Sequence, residues 1–142
     1  MKNIALTWWW TGGHIFPLLS IYNYLKNDKE LNFIWFGDED GLENEIASKN
    51  AIRFEHIPSG KIRRYFDVRN FFEPLKNLSG IFWGVYFILH YKIDTIISKW
   101  GFVWLPLCLA GALLRKKVYI HESDTASGLA NKIISRFATK VF

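Results

Sequence analysis

Short apolar runs recur along this chain with helix-like segments between them, and this alternation leaves few architectures open. Asn3 to Thr7 reads as a first strand and Ile15 to Lys26 as the helix after it. Asn32 to Phe36 reads as a second strand, followed by a turn at Gly37 to Gly41 and a short helix from Leu42 to Asn50. Ile52 to Ile57 alternates like a third strand and ends at Pro58-Ser59-Gly60. Asp67 to Tyr91 is a long amphipathic region that Pro74 and Gly80 are expected to break. Asp94 to Ser98 is a fourth strand, Phe102 to Leu114 a buried helix, Lys117 to His121 a fifth strand, Gly128 to Phe137 a helix, and Lys140 to Phe142 the start of a sixth strand. Strands alternating with helices imply an α/β parallel sheet with helices on both faces. Ligands of such sheets bind at the carboxyl ends of the strands. There the candidate residues collect: His14 after the first strand, Lys99 to Gly101 after the fourth, and His121 to Asp124 after the fifth.

Composition sets the bounds. With 142 residues, half of them hydrophobic, the chain can bury the core of one domain and is not disordered. Its formal charge of +5 and pI near 9.4 favour anionic partners. A single cysteine, Cys108, excludes an internal disulfide, and its apolar setting suits a structural thiol. The apolar run from Trp100 to Leu114 is short of the roughly 20 residues that span a bilayer. The N-terminus runs directly into a strand, so no signal peptide is read. The chain stops as its sixth strand begins, which suggests a fragment or one half of a two-domain protein.

The junction after the first strand carries the most chemistry. Thr11-Gly12-Gly13-His14 stands between that strand and the following helix. A glycine turn at a helix N-terminus directs backbone N–H groups and the positive end of the helix dipole at an anion. His14 at that mouth is placed to be a general base, or else it is a capping or packing histidine. Against this stand Trp8-Trp9-Trp10, three indoles where the turn should be tightest.

Five segments in order resemble the MurG family: Thr11-Gly12-Gly13-His14-Ile15-Phe16-Pro17; Asp40-Gly41-Leu42-Glu43; Ile57-Pro58-Ser59-Gly60 with Arg63-Arg64; Gly101-Phe102-Val103 with Pro106; and His121-Glu122-Ser123-Asp124 with Gly128 to Lys132. The resemblance covers the whole chain. It implies a Rossmann-like N-terminal half of a GT-B glycosyltransferase, one acceptor-binding domain over 1–142, with the donor-binding half absent. The implied reaction moves N-acetylglucosamine from UDP-N-acetylglucosamine onto the undecaprenyl-pyrophosphate-linked muramoyl-pentapeptide, at the cytoplasmic face of the bacterial membrane and peripheral to it. His14 then becomes the catalytic base, and Thr11, Gly12, Gly13 and Gly101 hold the acceptor phosphates. His121 and Glu122 position the acceptor or form a structural pair. Asp124 and Asn131 meet the donor sugar, or Asn131 is a helix-surface residue. No carboxylate cluster has metal-ligand spacing, so neither metal nor cofactor is expected. A non-catalytic, membrane-associated subunit recruiting a separate donor-binding chain is the alternative. A generic nucleotide-binding domain is the third reading, and against it this chain lacks the usual acidic residue on a glycine-rich dinucleotide fingerprint.

Between Lys61 and Lys92 basic and aromatic residues interleave. Arg63, Arg64, Phe71, Phe72, Leu75 and Lys76 are the candidate contacts to an anionic membrane surface. A core helix with a solvated basic face is the plainer reading. Nucleic acid could use the same composition, but no recognition motif accompanies it, so none is expected as a partner.

The chain departs from the family at Trp8, Trp9, Trp10, Trp100 and Trp104, where glycine or another small residue is expected. Tryptophan has neither the positive φ nor the close backbone approach that glycine supplies. Three explanations compete: a UGA codon translated as tryptophan where its own lineage reads glycine, engineering that blocks the cleft, or a natural pseudo-enzyme. UGG codons at positions 8 to 10 would exclude the first.

Overall fold

The computed structural model describes residues 1–8, 12–37, 42–58, 72–99, 105–121 and 129–142. Six strands, β1 (Lys2–Trp8), β2 (Leu31–Gly37), β3 (Arg53–His56), β4 (Ile93–Lys99), β5 (Lys117–His121) and β6 (Lys140–Val141), form one parallel sheet in the order β3-β2-β1-β4-β5-β6. Between them run α1 (Gly12–Leu25), α2 (Leu42–Lys49), α3 (Glu73–His90), α4 (Leu105–Leu113) and α5 (Leu129–Ser135). The alternation read from the sequence is the alternation observed, with most boundaries within two residues. The expected helix at Ile15 starts three residues earlier, so Gly12, Gly13 and His14 belong to its first turn rather than to a loop before it.

Strand alternation sorts the core into two layers. Ile4, Leu6, Phe33 and Trp35 face α1 and α2, where Leu18 and Ala47 close the packing. Ala5, Ile34, Phe36, Ile96, Val118 and Ile120 face the other way, onto α3, α4 and α5. This is the period-2 pattern of strands buried on both faces. It accommodates Trp35, the largest fully buried side chain of the described core. The chain moves outward from β1 to β2 and β3, then returns through α3 to lay β4 on the other side of β1.

Asn3 holds that return at the amino edge. Its backbone N–H donates to Asp94 Oδ2 at 3.0 Å, and its side chain donates to the carbonyls of Tyr91 at 2.8 Å and Lys92 at 3.3 Å. The register between β1 and β4 slips by one residue here, with Asn3 opposite Ile93 but Ile4 opposite Thr95. The bulge sets the Asp94 carboxylate in place of a ladder carbonyl for the Asn3 N–H. Tyr91 also donates its hydroxyl hydrogen to Glu55 of the edge strand β3, and Arg53 lies 4.9 Å from the Tyr91 ring centre. Burial first, then this hydrogen bond, holds the Tyr91 phenol above its usual range.

The expected break at Gly80 does not occur, and α3 runs through it as one 18-residue helix. Pro74 lies in the first helical turn, where its missing N–H costs nothing. Gly80 is there for close approach. A Cβ at this position would lie 2.0 Å from the Pro58 carbonyl oxygen and 2.8 Å from Pro106 Cβ. One turn on, a Cβ at Gly84 would meet Ala110 Cβ at 3.0 Å. At these two positions α3 therefore presents backbone, with no side chain of its own, to Pro106 and Ala110 of α4. Gly80→Ala should destabilise the fold by about 3 kcal/mol, the upper range for overpacking, measured as the shift in urea midpoint at unchanged slope. A change below about 0.5 kcal/mol would contradict this packing.

Candidate functional site

Order β3-β2-β1-β4-β5-β6 places the point where the chain changes direction between β1 and β4. In open parallel sheets the crevice outside the carboxyl ends of the strands at such a point is where ligands sit. Trp8 ends β1 and Lys99 ends β4, and the two face each other in register. On the far side of β4, Lys99 faces His121, the last residue of β5. Helix α1 opens at Gly12, four residues after β1 ends. The first N–H groups of a helix have no intrahelical acceptor, so those of Gly12, Gly13 and His14 are donors at the same edge. Negative charge is favoured there by the helix dipole.

Several sequence candidates thus share one edge. Gly12, Gly13 and His14 stand at the start of α1 and His121 at the end of β5. The His14 side chain lies outside the described atoms, as does that of Asn131 within α5. Thr11, Gly101, Glu122 and Asp124 lie outside the described residues, as do Arg63, Arg64 and Phe71 of the basic aromatic segment. Of the five unusual tryptophans only the backbone of Trp8 is described, and it is strand rather than turn.

The sequence alone sets Lys99 in the loop after the fourth strand. It was one of three consecutive residues after a strand, but it is 3 % exposed and ends the strand itself. The alternation Ile97, Lys99 puts it on the face of Ile97, which packs with the α1 layer. The signal in the sequence is a lysine closing the apolar strand Ile96-Ile97-Ser98. Beside it, Ile21, Ile97, Tyr119, Ile120, His121 and Phe142 line an apolar cavity of about 430 Å³.

On the opposite face, Cys108 of α4 is fully buried, and burial pushes its thiol up to about 12. It has no nucleophilic role at neutral pH. Because the folded value lies above that of the unfolded thiol, the native state holds its proton where the unfolded state has released it. Stability from this group is complete below about 9 and falls as pH rises toward 12. Cys108→Ala should therefore show a shallower loss of stability than the parent between these pH values, followed by urea unfolding. Identical slopes would contradict the burial-driven shift.

Helix α3 carries the other distinctive surface. Phe72, Leu75, Leu78, Phe82, Tyr86 and Leu89 recur every three or four residues, Trp83 adjoins Phe82, and all seven are exposed. The side of Gly80, Gly84, Phe87 and Ile88 is buried against the core. Leu75, Leu78, Ser79, Phe82, Trp83 and Tyr86 line an open groove of about 760 Å³. Trp83 meets Tyr86 edge-on at 5.7 Å, and Tyr86 stacks on His90 at 5.4 Å. Among the described residues no helix is long and apolar enough to cross a membrane, and no group of three or more His, Cys, Asp or Glu could hold a metal ion.

Known proteins share this arrangement. The Glycosyltransferase family 28 N-terminal domain matches residues 4–142. A Bacillus thuringiensis (strain Al Hakam) protein, named UDP-N-acetylglucosamine--N-acetylmuramyl-(pentapeptide) pyrophosphoryl-undecaprenol N-acetylglucosamine transferase 3, is 43 % identical over 143 residues, covering 100 % of this chain and 40 % of the relative. A Borrelia turicatae (strain 91E135) transferase of the same name, without the numeral, is 42 % identical, covering 99 % and 39 %. The chain thus spans about two fifths of the length of these relatives. The crystal structure of Acinetobacter baumannii MurG superimposes with a TM-score of 0.84 at 28 % identity, over 99 % of this chain and 40 % of that one. A UDP-GlcNAc 2-epimerase from Methanocaldococcus jannaschii, at 14 % identity over 100 % of this chain and 39 % of its own, shares the fold with a TM-score of 0.69.

Proposed function

The chain belongs to glycosyltransferase family 28 through its N-terminal domain, and from that premise we propose that it is the acceptor-binding half of a peptidoglycan N-acetylglucosaminyltransferase. The donor is UDP-N-acetylglucosamine, bound mainly by a second half, and the acceptor is the undecaprenyl-pyrophosphate-linked muramoyl-pentapeptide. One observation carries this reading: the first turn of α1, with His14 in it, opens at the carboxyl edge where β1 and β4 part.

In this reading the N–H groups of Gly12 and Gly13, with Thr11 and Gly101, hold the acceptor's pyrophosphate. His14 takes the proton of the acceptor hydroxyl as its oxygen attacks the anomeric carbon of the donor sugar. The bond from that carbon to the UDP oxygen breaks, and UDP leaves with the bonding electron pair. His121 and Glu122 orient the acceptor, and Asp124 and Asn131 meet the donor sugar. No step draws on a metal or cofactor.

The exposed stripe of α3 suits the same substrate, because a lipid-linked acceptor must be met at a bilayer. Aromatic and leucine side chains enter the interface while Lys76 and the basic residues Arg63 and Arg64 stay near anionic headgroups. The stripe supports a peripheral location at a membrane, and the cytoplasmic face is the side proposed here because the UDP-sugar donor is met there. The same stripe also favours the second reading, a non-catalytic membrane subunit that recruits a separate donor-binding chain. Co-purification of a separate donor-binding chain would select it.

Grafting decides between them. The chain should replace the matching N-terminal part of the Bacillus thuringiensis relative and leave a folded chimera that transfers N-acetylglucosamine. His14→Ala in that chimera should lower kcat by about 10²–10⁴-fold, the range for losing a general base. Glycine at 8, 9, 10 and 100 should raise acceptor affinity over the tryptophan form. A folded chimera that is inactive in both forms would overturn the enzyme reading.

Membrane docking is read on vesicles. Phe82→Glu should weaken binding of the chain to phosphatidylglycerol vesicles by about tenfold or more, as expected for losing one buried aromatic side chain, with thermal stability unchanged. Binding should also fall with added salt, since exposed charges are screened over about 10 Å at about 0.1 M. Binding unaffected by Phe82→Glu would exclude α3 as the docking surface.

A further inference from the structure

We propose that His90 makes the docking of α3 on an anionic bilayer depend on pH, a role that rests on the membrane-docking reading above. His90 is the basic residue in the last turn of α3, and it is exposed. It continues the aromatic stripe rather than standing apart from it. Its ring stacks on Tyr86 with centres 5.4 Å apart and an interplanar angle of 12°, and it meets Tyr91 edge-on at 4.7 Å. Tyr86 in turn meets Trp83, and both line the groove of α3. A side chain that can gain a charge is therefore built into the surface that touches lipid.

The groups around His90 leave it open to an anion outside the protein. Arg53 of β3 lies over the Tyr91 ring, and Glu55 accepts the Tyr91 hydroxyl hydrogen. Arg53 and Glu55 also pair with each other at 3.3 Å. Lys92 follows Tyr91 in the chain, and the Asp94 carboxylate accepts from the Asn3 N–H. Among the described residues no carboxylate pairs with His90. Histidine is the side chain whose charge changes between about pH 5 and 8. Neutral, it is one more flat ring at the end of the stripe. Protonated, it is a cation on an aromatic face and at a helix C-terminus, two places that accommodate positive charge. One such cation near anionic headgroups tightens binding by about fivefold. The charged form is the acid form, so docking strengthens as pH falls. The coupling is reciprocal, and an anionic surface also draws the proton onto His90. Leucine, phenylalanine and tryptophan in the stripe carry no such dependence, so His90 makes a constant apolar attachment adjustable.

The test measures sedimentation of the 142-residue chain with vesicles of phosphatidylglycerol and phosphatidylcholine in equal parts, at high and low pH within the histidine range and one ionic strength. The wild-type chain should bind about fivefold more tightly at the lower pH. His90→Gln keeps a planar polar side chain without the charge. It should bind equally at both pH values, with the thermal midpoint unchanged. His90→Lys should bind tightly at both, which a role in packing alone would not produce. The chain also holds His14, His56 and His121, so a control is needed. His56→Gln should keep the wild-type dependence. On vesicles of phosphatidylcholine alone the dependence should vanish. Full pH dependence in His90→Gln would overturn the proposal, as would a dependence that persists on phosphatidylcholine. Wild-type binding to the anionic vesicles that ignores pH would overturn the role of His90 and leave α3 docking intact. A chain that binds no vesicle at either pH would overturn docking through α3 itself and this proposal with it, so the two failures are told apart.

Discussion

The parallel pairing of β1 with β4 holds the rest of this structure in place. It joins two half-sheets that the chain builds in opposite directions, and it sets the last residue of one, Trp8, beside the last residue of the other, Lys99. Asn3 fastens the amino ends of both strands, and its side-chain oxygen also accepts from Asn32 of β2 at 3.0 Å. Without that pairing the start of α1 and the ends of β4 and β5 would not share an edge. A long crossover is needed to make it, and α3 supplies one.

The crossover helix has two incompatible surfaces, and glycine reconciles them. Toward the sheet, Gly80 and Gly84 let the backbone of α3 lie against Pro58, Pro106 and Ala110 with no α3 side chain between. Toward solvent, the same helix exposes Phe82, Trp83 and Leu89. A helix hydrophobic on both sides is ordinarily buried on both. Its exposed stripe is larger than scattered surface apolar residues explain, and such patches mark contact surfaces. Burial on one side fixes which residues remain on the other, so packing of the core and presentation of the stripe are one event.

Much of the architecture was legible because it depends on local periodicity. Six strands and five helices follow from apolar runs and the segments between them, and the Lys117–His121 strand is found at its expected bounds. The errors arise where tertiary contact overrides local preference. Gly80 looks like a helix breaker, but packing against α4 and Pro58 more than offsets its backbone entropy. Gly12 and Gly13 look like turn residues, but they open α1. Among the candidate residues, the glycine junction and His121 are read from residue type and position, and the structure sets them at one edge of the sheet. Lys99 stood out less, because burial of a charge is a property of its surroundings and not of its neighbours in sequence.

Chemistry that travels along the chain was thus determined by the sequence alone: the α/β alternation, the glycine-histidine junction, the single thiol, and the ordered motifs that place the chain in its family. Only the tertiary structure decided that Lys99, in register with Trp8 and His121, is buried, that Cys108 is withdrawn from solvent, and that α3 turns one apolar side inward and the other out. The reason is common to all three. Periodicity assigns a residue to a face of its own strand or helix. Which faces meet, and which remain open, depends on contacts between segments far apart in the chain, and those contacts set the dielectric, the charge environment and the exposure of each group.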